Sequence, residues 1–499
     1  MAKEEIRVQY SGFVIFGAQM LSIVTGLVFT LLLTRNMTES QFGIWSNIFD
    51  YTAYFTILSS LFPFWVTRFV ARGKEGTIKT SLFASSILAL VSMGIYLPLI
   101  SSITTAIHTE VYLVVYLIAA LQILNAYLIT NLESCFRGVK PQTIGYGLLI
   151  EEVVKVALAL VVIVGFHEVF LGAMLGITLS ALVQSVYYIR VLADYLKEKV
   201  RWSYLKEWLK GSVLFVYTGI GGQLVSFVFV LLFIYGGQEA RADYQAATTF
   251  TAIVGYSASL AVALYPRLLV KKCPDDQVSL SFKMVLMFAI PLAAVTIVMS
   301  ESFLTVLNVA YAGAAPILVL LTFDMLITLV SQFYSSCLLG SEELDVEGKI
   351  PLRKLFRSKI FKVFSFPYVQ AAIALPLVYF VLTQLQLASV EAVMYVTVIN
   401  IIVHLISFLG LYLLAHKFTR IVGVWKNIGR YLIISIVAAV TLLLLPPSTT
   451  ILWTFGKAAV GLSIYAALLI AVDADARVLV RAIFQEAKSN ISGLARRNG

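Results

Sequence analysis

Glu133–Gly138 reads ESCFRG, and Ser335–Gly340 reads SSCLLG; three of six letters match at an offset of 202 residues (335 − 133). The offset recurs elsewhere. SQFGIWSNI (40–48) aligns with ADYQAATTF (242–250), so that Phe42 meets Tyr244. LFPFW (61–65) aligns with LYPRL (264–268), and Pro63 and Pro266 differ by 203. Each match is short, but they share one spacing, so the chain reads as a unit followed by a second copy of itself.

What repeats is a set of membrane spans. The 499 residues are 60% hydrophobic and 13% charged, about half the charge of a soluble domain, with a mean hydropathy of +0.90. Apolar runs long enough to cross a bilayer as helices fall near 12–33, 43–67, 81–104, 111–132, 144–165, 169–190, 212–234, 247–269, 282–299, 313–338, 364–383, 390–415, 430–446 and 452–471. The first, FVIFGAQMLSIVTGLVFTLLL from Phe13, follows Lys3 and Arg7 and is not followed by a small-x-small cleavage site. It reads as an uncleaved span rather than a signal peptide.

The basic residues orient the spans. With the N-terminus cytoplasmic, inner segments hold 33 of the 37 Lys and Arg; Arg35, Arg241 and Lys457 lie outside or at outer borders, and Lys155 lies within a span. A miscounted span would scramble that ratio, so the +10 net charge reflects the positive-inside rule rather than nucleic-acid binding. The expected fold is an all-α polytopic membrane protein in the cell (cytoplasmic) membrane. It has about 14 transmembrane helices and both ends in the cytoplasm. Its parts are a six-helix lobe (1–190), an amphipathic cytoplasmic linker (191–211), a second six-helix lobe (212–415), two additional helices (416–472) and a cytoplasmic tail (473–499). Six is even, so both lobes enter the membrane in the same direction, which predicts a pseudo-two-fold axis along the membrane normal and a site between the halves. The linker LADYLKEKVRWSYLKEWLKG (192–211) and KIPLRKLFRSKIFK (349–362) have the character of headgroup-plane segments.

Three further stretches carry a family likeness: LLLTRNMTESQFGIWSNI (31–48), with Arg35, Phe42 and Gly43 as an Arg, spacer, aromatic-Gly pattern; FRGVKPQTIGYG (136–147); and YPRL (265–268). With the topology, they make the chain resemble the multidrug/oligosaccharidyl-lipid/polysaccharide exporter superfamily, and within it the polysaccharide flippases of the Wzx type. That resemblance implies a central cavity formed mainly by spans 1, 2, 7 and 8, alternating access, and a polyprenyl-(pyro)phosphate-linked glycan as cargo. Membrane lipids and the glycosyltransferases or polymerases of the same pathway are the implied partners. Other functions that fit are a cation-coupled drug antiporter of the same superfamily, with Asp50, Asp324 and Glu152 as carboxylates, and a peptidoglycan-precursor flippase. A membrane glycosyltransferase needs acids on a sizeable outer loop, and every outer loop here is short.

Ionisable groups inside spans are functional candidates by default. Asp50 lies near the outer end of span 2, with Asn47 one turn away, and Asp324 is mid-span 10. Glu151 and Lys155, four apart in IEEVVKVAL beside Glu152, share a helix face and are expected to pair. His404 reads as a core histidine among Ile, Val and Leu. Gln19 and Gln223 occupy similar places in spans 1 and 7 and suit either sugar hydroxyls or helix–helix bonds. Arg35, Arg68, Arg241 and Arg267 stand at the borders of spans 1, 2, 7 and 8. Arginine forks suit a pyrophosphate, the inner pair (Arg68, Arg267) for capture and the outer pair (Arg35, Arg241) for reception, unless they anchor topology. There is no GxxxxGK[ST] loop, GKEG at Gly73 being no match, and the His and Cys show no metal spacing. No enzyme activity, cofactor or nucleic-acid partner is expected.

Overall fold

The computed structural model describes residues 8–258, 275–340, 358–417, 423–446, 449–474 and 476–477. Arg7, Arg267, Cys273, most of KIPLRKLFRSKIFK and nearly all of the C-terminal tail lie outside the described residues. Every described element is helical: α1 (Val8–Asn36), α2 (Glu39–Phe55), α3 (Pro63–Ala71), α4 (Thr77–Ala106), α5 (Leu113–Val139), α6 (Gln142–Ala159), α7 (Val169–Val191), α8 (Trp202–Gly211), α9 (Val213–Leu231), α10 (Gln238–Gly255), α11 (Asp275–Val298), α12 (Ser300–Leu307), α13 (Ala315–Gly340), α14 (Lys359–Gln384), α15 (Ser389–Ala415), α16 (Trp425–Leu444) and α17 (Ile451–Val472).

Among the described residues, helix falls within each of the fourteen expected stretches, though in 247–269 only as far as Ala258. Eleven helices among the described residues are long and apolar enough to cross a membrane, and α2 with the segment Ile57–Ala71 makes a twelfth that bends by 46°. The bend falls where Thr56 folds its hydroxyl onto the Ala53 carbonyl at 2.9 Å and Pro63 opens α3. Proline suits a helix start, where its missing N–H costs nothing. The other two expected stretches are not among these twelve. The α6 stretch carries Glu151, Glu152 and Lys155 and ends in a π-helical turn, Leu160–Gly165, and α10 carries Glu239, Arg241 and Asp243 and ends at Gly255.

The 202 offset appears in the element boundaries. α5 begins at Leu113 and α13 at Ala315 (315 − 113 = 202), and each follows a 3-10 turn. α2 and α10 are likewise each followed by a 3-10 turn. After α13 the second copy is displaced by about eighteen residues more: α7 starts at 169 and α15 at 389.

The chain divides into two compact units. The first holds 1–249 and 343–403, the second 250–342 and 404–499, with the boundary inside α15. In the first unit, α6 packs between α1 and α7, α5 against α4, α7 and α3, and α9 against α14. The helices are joined by short polar links as well as by packing. Gln122 donates to the Thr178 hydroxyl at 2.8 Å, Tyr96 to the Tyr116 carbonyl at 2.9 Å, and Ser92 bonds Tyr127 at 2.9 Å. In lipid such bonds and close packing replace the hydrophobic drive between helices. In the second unit α11 packs on α13, α16 and α17, and Tyr465 of α17 donates to the Met287 carbonyl at 2.8 Å.

The amphipathic linker resolves into the ten-residue α8. Trp208 is fully buried against Phe62 and Phe69, whereas Trp202 and Leu209 stay exposed. Its anchor is protein on one face. The exposed pair before it, Lys197 and Asp194 at 2.8 Å, holds the Asp194 carboxyl below its usual value by hydrogen bond and charge.

Candidate functional site: an aromatic, charge-compensated cavity

Within the first unit a cavity of about 320 Å³ opens among α1, α2, α9 and α10. α2 presents one continuous face to it: Phe42, Trp45, Ser46, Phe49, Asp50 and Ala53 recur at three- and four-residue steps, as a helix face requires. Phe29, Thr30 and Leu33 come from α1, Gln223, Ser226 and Phe229 from α9, and Arg241, Gln245 and Thr249 from α10. The aromatic walls are ordered pairs. Trp45 lies 5.1 Å from Phe49 and 6.3 Å from Phe29, and Phe229 lies 5.0 Å from Tyr244.

Two charges face each other here. Arg241 donates from Nε to Asp50 Oδ2 at 2.8 Å and from Nη2 to Asp50 Oδ1 at 2.9 Å, a bidentate fork. Its Nη1 donates to Gln245 Oε1 at 3.1 Å, and its guanidinium lies 5.1 Å from the Phe229 ring centroid. The side chains are only 5% and 11% exposed, so the charges are compensated in a water-poor setting, where fork geometry counts most. Gln223 Oε1 is buried and receives no hydrogen bond among the described residues.

Above this, α2 and the start of α10 touch directly. A Cβ added at Gly43 would collide with the Gln238 carbonyl group, and Ser40 hydrogen-bonds the Gln238 side chain. Glycine at 43 is what permits this approach.

The structure thus brings Asp50, Arg241 and Gln223 to one cavity. It does not bring Gln19 there, which is exposed on α1. Asn47 is fully buried behind the α2 face and accepts from Tyr116 at 3.4 Å. Arg35 is exposed in the last turn of α1, and Arg68 of α3 lies over the Phe64 ring at 3.9 Å. Phe29, Trp45, Phe49, Phe229, Ser226 and Gln245 were not foreseen; the helical stripe from Phe42 to Ala53 was the signal for those on α2.

Two charge clusters correct the expected pairings. Lys155 binds Glu152, not Glu151, at 2.7 Å. Ser22 and Thr25 of α1 donate to the same carboxylate at 2.7 and 2.5 Å, and those two hydroxyls select Glu152, which is 3% exposed. Glu151 is half-buried beside them. His404 is not a lone core histidine: its Nδ1 sits 2.6 Å from Asp324 Oδ1, joining α15 to α13 in the second unit. The described residues contain no cluster of His, Cys, Asp and Glu able to hold a metal ion.

Comparison with known proteins gives a family by sequence and a fold by structure. A model of the polysaccharide biosynthesis protein family matches residues 10–271. No curated protein matches the chain by sequence. Among solved structures, the lipid II flippase MurJ in an inward closed conformation aligns at TM-score 0.64 and 13% identity, over 95% of this chain and 100% of that one. A multidrug resistance MATE family transporter of the MOP superfamily, inward-facing, aligns at 0.59 and 15%, over 79% and 94%. A MOP superfamily transporter from Pyrococcus furiosus, described as having a binding pocket of reversed polarity, aligns at 0.51 and 14%, over 82% and 94%. At these identities the likeness is one of fold.

Proposed function

Because this chain belongs to the polysaccharide biosynthesis protein family, we propose that it is a flippase carrying a lipid-linked oligosaccharide across the cytoplasmic membrane by alternating access. The glycan is a precursor of a polysaccharide or glycoprotein. The observation that carries the reading is the cavity's chemistry: aromatic faces, amides and hydroxyls around a neutralised Asp50–Arg241 pair. Such a lining suits a polyhydroxylated guest with apolar ring faces.

In this reading fourteen spans run with both termini cytoplasmic, as two six-span lobes with two spans appended. The polyprenyl tail stays in lipid while the sugars cross through the protein. The partners are the polyprenyl-(pyro)phosphate-linked glycan, surrounding lipids and the enzymes that make and polymerise it; the chain itself catalyses no covalent step. A cation-coupled drug antiporter is less favoured, since the cavity's one carboxylate is already engaged by Arg241.

The test is glycan analysis of a strain lacking this protein. A flippase predicts loss of a surface glycan with lipid-linked precursor accumulating on the cytoplasmic face, both reversed by the wild-type chain. Intact glycans with new sensitivity to drugs would instead indicate the antiporter.

A further inference from the structure

We propose that the cavity holds one uncharged sugar ring of the cargo, bearing hydroxyl or acetamide groups, and rejects both sugar acids and the pyrophosphate. This rests on the flippase reading and adds to it which part of the cargo this site reads. The geometry leaves no uncompensated cation for an anion. Asp50 occupies the Nε–Nη2 edge of Arg241 and Gln245 takes an N–H of Nη1. An oxyanion that takes that fork expels Asp50 and leaves a buried carboxylate without its counter-charge, which is strongly unfavourable; one that meets the remaining N–H groups finds a guanidinium already neutralised.

The one unmet polar need is that of an acceptor. Gln223 Oε1 is buried with no donor in reach among the described residues, so it attracts an O–H or N–H and repels another oxyanion. Trp45 and Phe49 offer adjoining rings to the apolar face of a pyranose. The volume, about 320 Å³, suffices for a ring with its substituents. With Arg241 already neutralised by Asp50, the pyrophosphate is bound away from this cavity.

The test uses the full chain in lipid nanodiscs, following tryptophan fluorescence during titration with methyl glucoside, N-acetylglucosamine, glucuronate and inorganic pyrophosphate. The neutral sugars are expected to give a saturable change that disappears in Trp45→Phe. In Gln223→Leu that binding weakens by about tenfold, the loss of one hydrogen bond to a buried acceptor. Glucuronate and pyrophosphate are expected to leave Trp45 unaffected. Tighter binding of either anion, neutral binding unchanged in Gln223→Leu, or no response to any probe each overturns the proposal. Uptake of labelled methyl glucoside into proteoliposomes would make a free sugar the cargo and overturn the lipid-linked part; none is expected. The deletion-strain glycans decide the flippase reading separately, so either can fail while the other stands.

Discussion

Replacing Glu152 and Lys155 singly and together gives unequal costs that the geometry sets. In Glu152→Ala, Lys155 keeps a side chain only 13% exposed and loses its paired carboxylate; what remains near it is the Phe29 ring at 5.9 Å and the half-buried Glu151, within Coulombic reach. The stranded hydroxyls lose less, since Thr25 already reaches the Leu21 carbonyl at 3.0 Å. The ammonium, held now only by Glu151, still dominates, and the expected loss is about 2–3 kcal/mol. Lys155→Met is milder, about 1–2 kcal/mol, because the carboxylate retains the Ser22 and Thr25 donors and charge-assisted bonds are the strong ones. Glu152→Gln with Lys155→Met removes both charges and keeps an acceptor for the hydroxyls, so it should lie within about 1 kcal/mol of wild type. Denaturant titration of the purified protein in detergent, run as a double-mutant cycle, measures the coupling. Equal single costs that simply add in the double variant would refute this account of the cluster. Surface glycan in a strain carrying only the double variant supplies a second readout. Restored stability with restored glycan makes the pair structural, whereas restored stability without glycan places Lys155 on the transport route.

Other sites make separable predictions. Gly43→Val drives a branched side chain into the Gln238 carbonyl; backbone must move, at a cost of about 1–3 kcal/mol in thermal or denaturant unfolding. Asp473 is fully buried, accepts from Asn427 and Arg430, and caps the Ala476 amide at 3.0 Å. Asp473→Ala should cost about 1–3 kcal/mol through unmet donors. Asp324→Leu strands His404 and should destabilise more than Asp324→Asn, which keeps a hydrogen bond to the ring; equal melting temperatures would contradict the pairing. Lys197→Ala breaks only an exposed ion pair and should leave the melting temperature unchanged.

The sequence conveyed the helices well because spanning a bilayer demands long apolar runs, a signal written locally. The 202 spacing of ESCFRG and SSCLLG is also the separation of the starts of α5 and α13. The bend after α2 was signalled by Pro63. Pairings were harder. Glu151 and Glu152 are neighbours on one helix, and either can reach Lys155; the choice was made by Ser22 and Thr25, some 130 residues away in sequence. Asp324 and His404 are 80 residues apart and Asp50 and Arg241 191 apart. No periodicity links such positions. Arg241 read in isolation suggests an anion receptor, and only the fold supplies the carboxylate that occupies its fork.

That carboxylate also bears on how the repeat is used. A pair needed to fold each half would be duplicated at the offset. It is not: Asp50 corresponds to Ala252 (50 + 202) and Arg241 to Glu39 (241 − 202). Of the aromatic wall, only Tyr244 has an aromatic at the offset, Phe42 (244 − 202); Phe29, Trp45 and Phe229 correspond to Leu231, Ala247 and Leu27. α2 and α10 each contribute one half of a single buried charge pair. Neither helix satisfies that pair alone, and removing either partner leaves an uncompensated buried charge. The pair therefore ties α2 to α10, beside the Gly43–Gln238 approach. A motion that parts α2 from α10 must break this fork, so Asp50→Asn should ease that separation even though it weakens the resting structure.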